Sequence, residues 1–377
     1  MKLFGWTSGR EESRPVLSRG VATYGVGAAL REGFGPPSYD AQVREGYARN
    51  PVVQRAVRLV MEALGSAPLV ASHAELIALA TGRSGGQVLI EAAAAHLLLH
   101  GNAYIQVLRD TGGNVAELYA LRPERVSVEL DAGGWPAAYR YKVGERTTRL
   151  TGDAVRPEVV HLRFFNPIDD HYGLGCLGAA AGAVAIHNAA GEWNKALLDN
   201  AARPSGALVY DPGDGSTLAP DQFQRLRAEM DASFSGGANA GRPMLLEGGL
   251  KWQALGLSPA DMDFAGTRAA AAREIALAFG VPPMLLGQPG DATYANYKEA
   301  NRALWRQAIL PLAGTILTGL AQGLNGWFEG ATLAVDLNAV PALAEDRATL
   351  WRSVTAADFL TAQEKRQMVG LEAGEGA

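Results

Sequence analysis

The stretch from Ser258 to Leu312 allows few folds. It reads SPADMDFAGTRAAAAREIALAFGVPPMLLGQPGDATYANYKEANRALWRQAILPL. Ser258 is placed to cap a helix, Pro259 suits its first turn, and Asp261 stands three residues after the cap. Apolar residues then recur at Ala265, Ala269, Ala272, Ala276 and Phe279, one face of a helix. Gly280 predicts the helix end, and Pro282 and Pro283 prevent a restart. A polar loop follows Gly287, from Gln288 to Thr293, with no catalytic pair in it. From Tyr294 the pattern is helical again, with Pro311 predicted to kink or break it. The segment is a helical hairpin with a small polar tip.

Composition narrows the class. At 377 residues the chain suffices for one large core or two smaller ones. Hydrophobic residues make up 48% and charged residues 19%, ordinary for a folded protein. No apolar run in the sequence approaches the roughly 20 residues of a membrane span, so no membrane partner is expected. The opening MKLFGWTSGREESR lacks the apolar core of a signal peptide. One cysteine, Cys176, excludes an intramolecular disulfide, suits a reducing compartment and reads as a small core residue. The formal net charge is −5. A protein that grips nucleic acid over its whole surface would be basic, whereas an acidic or neutral wall lets DNA slide without sticking.

Along the chain, residues 1–45 are rich in Gly, Ser, Arg and Pro without periodicity and read as a flexible arm. Asn50 caps a helix begun by Pro51. Ala56, Val57, Val60 and Leu64 form its core face, and Gly65 and Pro68 end it. Residues 72–86 read as a loop or short helix, and 87–100 as a helix capped by Gly101. Strands are predicted at 103–109, 115–121, 125–130, 138–143 and 159–165, with turns at 110–114 and 131–134: a small antiparallel β unit. A long helix rich in alanine and leucine covers 177–200, and Arg203-Pro204-Ser205-Gly206 breaks it. An α/β insert follows. It has a strand at 207–210, a helix at 220–234 that buries Phe223, Leu226, Met230 and Phe234, and strands at 243–246 and 251–255. Ala219 stands where a capping residue is expected. The tail has one clear helix, for which Thr361 and Glu364 supply a capping box. The whole pattern is α+β.

Motifs for chemistry are weak. Gly173, Gly175 and Gly178 fit G-x-G-x-x-G, but the predicted strand stops at Phe165 and a loop with Pro167 intervenes. The acidic residue at the right distance, Asp199, ends a helix. The glycines are expected to shape a tight turn into the long helix. Asp169-Asp170-His171 lacks a second ligand cluster and reads as a solvated loop. His96 and His100 are one helical turn apart, without the glutamate of an HExxH site, and His187 has no nucleophile partner by pattern. The chain contains no Gly-Lys dipeptide, hence no Walker A motif. No catalytic, cofactor or metal residues are assigned. The alternative kept open is a metal-dependent α/β hydrolase or nuclease acting on nucleic acid, resting on Asp169-Asp170-His171 and the glycine pattern alone.

Four separated segments, ARPSGALVY (202–210), GRPMLLEGGLKWQALGLSP (241–259), REIALAFGVPPMLLG (273–287) and GDATYANYKEANR (290–302), resemble tailed-phage portal proteins of the HK97 type. The resemblance runs from about residue 50 to about 328, and the wording is most like portals of gene transfer agents and related prophages of α-proteobacteria. It implies a portal fold: β-rich wing, helical stem, small α/β clip, kinked long helix and short helical crown. On this chain the parts would be an arm (1–45), wing (46–172), first stem helix (173–201), clip (202–257), second stem helix (258–287), tunnel loop (288–296), kinked helix returning to the wing (297–328) and crown (329–377). Relatives of this type carry a longer β-rich excursion where this chain has 72–86.

The function implied is a ring of about twelve copies at one capsid vertex. Double-stranded DNA would be packaged through it by a motor docked on the clip, and later ejected. The implied partners are the terminase large subunit, the major capsid protein and a head–tail adaptor. The implied location is a virion or gene-transfer-agent particle assembled in the bacterial cytoplasm. The DNA-facing loop would comprise Gln288, Asp291, Thr293, Tyr294, Asn296 and Lys298, with Lys298 the single cation near the tip. Partner-binding residues of the clip would be Arg203, Arg225, Arg227, Arg242 and Lys251.

Overall fold

A computed structural model describes residues 38–152, 155–199, 206–210, 213, 219–234, 250–254, 264–288 and 293–370. The expected cap at Ser258, the break at Arg203–Gly206 before its last residue, and the strand at 243–246 lie outside the described residues. Helical structure begins earlier than the expected arm boundary. α1 (Tyr39–Val43) is capped by Ser38 and runs into a π-turn (Arg44–Ala48). α2 (Pro51–Gly65) starts where Asn50 Oδ1 accepts the N–H groups of Val52 and Val53, at 3.0 and 3.1 Å. Its buried face includes Ala56, Val57, Val60 and Leu64, as the spacing predicts.

β1 (Leu69–Ala71) and α3 (Ala74–Thr81) follow. β2 (Arg83–Ser84) and β3 (Gln87–Val88) make a small hairpin, so Gln87 is strand and the next helix, α4 (Leu89–His100), starts two residues later than expected. Six longer strands come next. They are β4 (Asn102–Arg109), β5 (Val115–Leu121), β6 (Val126–Leu130), β7 (Pro136–Val143), β8 (Arg146–Leu150) and β9 (Val159–Arg163). They form two antiparallel sheets, ordered β5-β4-β9 and β6-β7-β8. Tyr104, Leu121, Val126, Leu150 and Val159 fill the space between the sheets.

α5 (Cys176–Asp199) leads away to a two-stranded sheet of β10 (Gly206–Tyr210) and β11 (Leu250–Ala254), with α6 (Pro220–Phe234) between them in sequence. Gln222 Oε1 accepts the Ala219 N–H at 3.0 Å, so α6 gains a cap contact although its cap position is Ala219. Phe223 was expected in the core and is 54% exposed.

α7 (Phe264–Ala278) returns alongside α5. Its buried residues are Ala271, Ala272, Ile275 and Ala276, with Phe279 just beyond its end; Ala265 is exposed, so the expected stripe is spent only over the second half. Gly280, at φ +65°, ends the helix where a residue with a Cβ would be strained.

α8 (Tyr294–Leu304), a π-turn (Trp305–Ile309) and α9 (Leu310–Leu324) form one continuous 31-residue helix. It does not break at Pro311. Pro311 has no N–H to offer the preceding turn, and its ring crowds the carbonyl four residues back. The π-turn widens that turn, and Leu310 N–H bonds Trp305 O instead. The helix is long and apolar enough to cross a membrane. Here Ile309, Leu312, Ala313, Ile316, Leu317, Leu320 and Leu324 are buried in the main core with α2, α4 and β9. β12 (Leu333–Val335) pairs with β1. The tail holds two helices, α10 (Ala344–Ala356) and α11 (Ala362–Met368), where one was expected; the second carries the Thr361–Glu364 capping box in full. The architecture is α+β.

Candidate functional site

The expected hairpin is not a packed pair, since α7 lies along α5 and not along α8; at the end of the polar loop Thr293 Oγ1 accepts the Asn296 N–H at 3.2 Å and starts α8. That cap holds Tyr294, Asn296 and Lys298 on the first turns, all exposed, with Tyr294 at 77%. Gln288 is half-buried at the far side of the loop. Asp291 lies outside the described residues.

Lys298 is not a free cation. Its Nζ donates to Glu345 Oε1 at 2.8 Å and stands 5.4 Å from the centre of the Tyr294 ring. Bonding to Glu345 raises the Lys298 pKa, and the same bond lowers that of Glu345. It is also not the single cation there. Lys298, Arg302 and Arg306 recur once per turn along the helix, and Arg302 reaches Asp346 at 3.2 Å, Arg306 reaches Asp346 at 4.0 Å. Glu345 and Asp346 open α10, where carboxylates suit the positive end of a helix. Three cations of this helix thus share two carboxylates at the start of α10, a helix whose Glu345 stands 47 residues from Lys298. Sequence reading missed this because the partners share no local pattern.

On the insert, Arg225 and Arg227 are exposed on α6, and Lys251 is exposed on β11. Arg203 and Arg242 lie outside the described residues. Exposed Phe223 and Arg227, one turn apart, share a face of α6, with Arg225 on the opposite side.

The remaining motifs settle into packing. Gly173 and Gly175 allow two chain segments to touch: a Cβ on Gly173 would come within 2.1 Å of Gly101 O, and one on Gly175 within 2.6 Å of Leu99 O. They shape the entry to α5, as the sequence predicts. Asn102 locks that entry. Its Oδ1 accepts the Gly173 N–H at 2.7 Å and faces His161 Nε2 at 3.0 Å, while its Nδ2 meets His100 Nδ1 and Gly173 O, each at 3.2 Å. Asp169 Oδ1 accepts the N–H groups of His171 and Tyr172, so it works as a turn former. His171 is 3% exposed, which corrects the expectation of a solvated loop. Among the described residues no three His, Cys, Asp or Glu side chains converge as a metal site. Cys176 is half-buried, and burial pushes its thiol up to about 11.

The profile of the family described as "Phage portal protein" matches residues 51–370. The chain belongs to the phage portal protein family. Portal proteins are structural components of the phage head rather than enzymes, and the hydrolase alternative falls with that. A solved structure, "Neck of native GTA particle computed with C12 symmetry", contains a chain 48% identical to this one. The match covers 92% of this portal chain and 97% of that one, with a TM-score of 0.70. An uncharacterized protein of Rickettsia bellii (strain RML369-C) is 35% identical over 385 residues, covering 97% of this chain and 95% of its own. The portal protein of Enterobacteria phage HK97 is 28% identical over 203 residues, covering 54% and 45%. The resemblance read from four motifs is therefore a family relationship.

Proposed function

We propose that about twelve copies of this chain close into a ring channel at one vertex of a phage-like particle. Double-stranded DNA enters through it under a terminase motor and later leaves by the same route, and the ring joins head to neck. The observation that carries this reading is the near-full-length likeness to a chain from a twelve-fold particle neck. In this reading the two β sheets and α2–α4 are the wing, α5 and α7 the stem, the β10–β11–α6 unit the clip, and α10–α11 the crown. The major capsid protein surrounds the ring. The clip docks terminase and then the adaptor, with Arg225, Arg227, Lys251, Arg203 and Arg242 offered to their acidic groups.

The loop that ends at Thr293 faces the channel, with Gln288, Asp291, Thr293, Tyr294, Asn296 and Lys298 nearest DNA. A channel needs weak contacts, since each firm phosphate contact must be broken as DNA moves. The Lys298–Glu345 pair meets that need by keeping the cation beside a carboxylate. Glu345→Gln, which frees Lys298, is expected to leave ring assembly intact and to slow DNA movement in a salt-dependent way. Lys298→Gln is expected to leave rings intact and to remove that salt dependence. Packaging assays at two salt concentrations check both. Identical packaging by all three proteins would take Lys298 out of the mechanism.

A further inference from the structure

Most of α10 faces solvent. Among the described residues of that helix only Val354 is buried. Ala344, Ala348 and Trp351 recur at helical spacing on one open side, with Arg347 beside them. Together with Asn338, on the turn before the helix, they line a hollow of about 400 Å³. Trp351 is 46% exposed there. Arg347 is half-buried and makes no ion pair among the described residues, whereas its neighbours Glu345 and Asp346 are taken up by the cations of α8 and the π-turn. Tryptophan and arginine are the side chains that contribute most when a binding surface is covered, so the hollow suits a segment with an apolar residue and a carboxylate.

The chain supplies such a segment at the same place. Gly370 follows the last turn of α11. Its N–H donates to Gln367 O at 3.0 Å, and its φ of +74° turns the chain back across the helix end. A Cβ on Gly370 would stand 3.4 Å from Asn338 Nδ2, and Asn338 lines the hollow. The Cα of Leu371 follows about 3.8 Å on. Residues 371–377 read Leu-Glu-Ala-Gly-Glu-Gly-Ala, with one large apolar residue, two carboxylates and no cation. The lining of the hollow carries one charge, Arg347. Asp336, close by, is turned into its own loop, where its Oδ1 accepts the Asn338 N–H at 2.9 Å. Tethering adds to the match. A segment joined directly to the rim of its site meets it at an effective concentration of order millimolar, so weak contacts suffice to fill it.

We propose that residues 371–375 lie in this hollow along α10 of the same chain, with Leu371 against Trp351 and Ala344 and Glu372 beside Arg347. The segment acts as a strap on the first turns of α10. Those turns carry Glu345 and Asp346, so the strap holds these carboxylates against Lys298 and Arg302. The inference does not depend on the ring, and the failure of either leaves the other standing.

The test uses the full chain with Cys176→Ala and a pair of cysteines, Ala348→Cys with Ala373→Cys. In the control pair Leu350→Cys takes the place of Ala348→Cys, two residues on and so about 200° round the same helix. Under mild oxidation the first pair is expected to close a bond within one chain at least fivefold faster than the control. The bond is read by mass as a loss of two hydrogens and located on the cleaved peptides. Arg347→Glu in the first pair should slow closure roughly threefold to fivefold, the scale of one exposed ion pair. Glu372→Arg with Glu375→Arg should then restore it, which a merely structural effect of Arg347→Glu would not allow. Arg347→Gln, milder for the fold, should slow closure in the same direction. Equal rates for the two pairs, or a rate indifferent to Arg347, would overturn the proposal. A bond between two chains would also overturn it and give the hollow to the segment of a neighbouring copy.

Discussion

Asn50 shows how one side chain fixes two helices to each other. Its Oδ1 caps α2, so its Nδ2 must point toward His187 Nδ1 at 3.1 Å and Asn188 Oδ1 at 2.9 Å, both on α5. An amide N–H only donates, so His187 Nδ1 accepts and the ring proton sits on Nε2. Arg268 Nε of α7 lies 3.3 Å from that Nε2 and is then a packing neighbour rather than a donor. Asn50→Ala loses the cap and strands a buried ring nitrogen, which is expected to cost about 2–3 kcal/mol in urea unfolding. Asn50→Asp should recover the cap alone, since a carboxylate caps the helix but offers no N–H to His187 Nδ1 or Asn188 Oδ1. The Asn102 network is the second such lock. Burial pushes His100 and His161 down to about 3, and His96, with Arg122 adding to the effect, to about 4. His161 also faces Arg163 and His171, and Tyr39 packs edge-on against His100. Each folded-state value lies below that of an unfolded histidine, near 6.5. The unfolded chain therefore binds more protons below that pH, so stability is full above about 6.5 and is lost as pH falls toward 4. Thermal midpoints between pH 7.5 and 4.5 are expected to drop steeply, with each histidine contributing of order 1–2 kcal/mol at pH 5. A flat profile would mean that the histidines are not locked in neutral form.

Elements with local signals were legible in the sequence, and those set by distant partners were not. Asn50–Pro51, Gly280 followed by two prolines, and Thr361 with Glu364 each write a helix end into a few neighbouring residues, and each end is found. β8 was missed because Arg146-Thr147-Thr148-Arg149 is exposed and shows no apolar alternation; it exists because it pairs with β7. Phe223 was misplaced because helical periodicity names a face but not what covers it. The π-turn before Pro311 has no signature in composition. It amounts to one extra residue in a helix, so it rotates everything after it by about 100°. That rotation sets which side of α9 meets β9. At Gly319 and Gly323 an added Cβ would stand 2.3 Å from Leu162 Cδ2 and 2.4 Å from Val160 Cγ2. Deleting Ala308 should turn the π-turn into α-helix, swing this face off β9 and abolish soluble expression. Pro311→Ala keeps the residue count and is expected to shift stability by no more than about 1 kcal/mol. Equal behaviour of the two variants in expression and urea unfolding would contradict this account of the kink.

At the scale of the whole molecule, the parts agree on a subunit made for assembly. The main core joins α2, α4, α9 and β9 with the first half of α5 and the second half of α7, and the other halves of these two helices lead to the β10–β11–α6 unit. A formal charge of −5 and a paired stripe of cations beside the loop suit a passage for DNA better than a clamp on it. The candidate loop was legible because its helical flanks and family wording sit in one stretch of sequence. Its electrostatics were not, because Glu345 and Asp346 reach it only through the fold. The central claim is the ring, and the assembled mass and symmetry of the protein test it most directly. Native mass spectrometry with electron-microscope class averages, run with and without the capsid protein, should show a closed ring of about twelve copies around an axial hole. Monomers or dimers under both conditions would contradict the account.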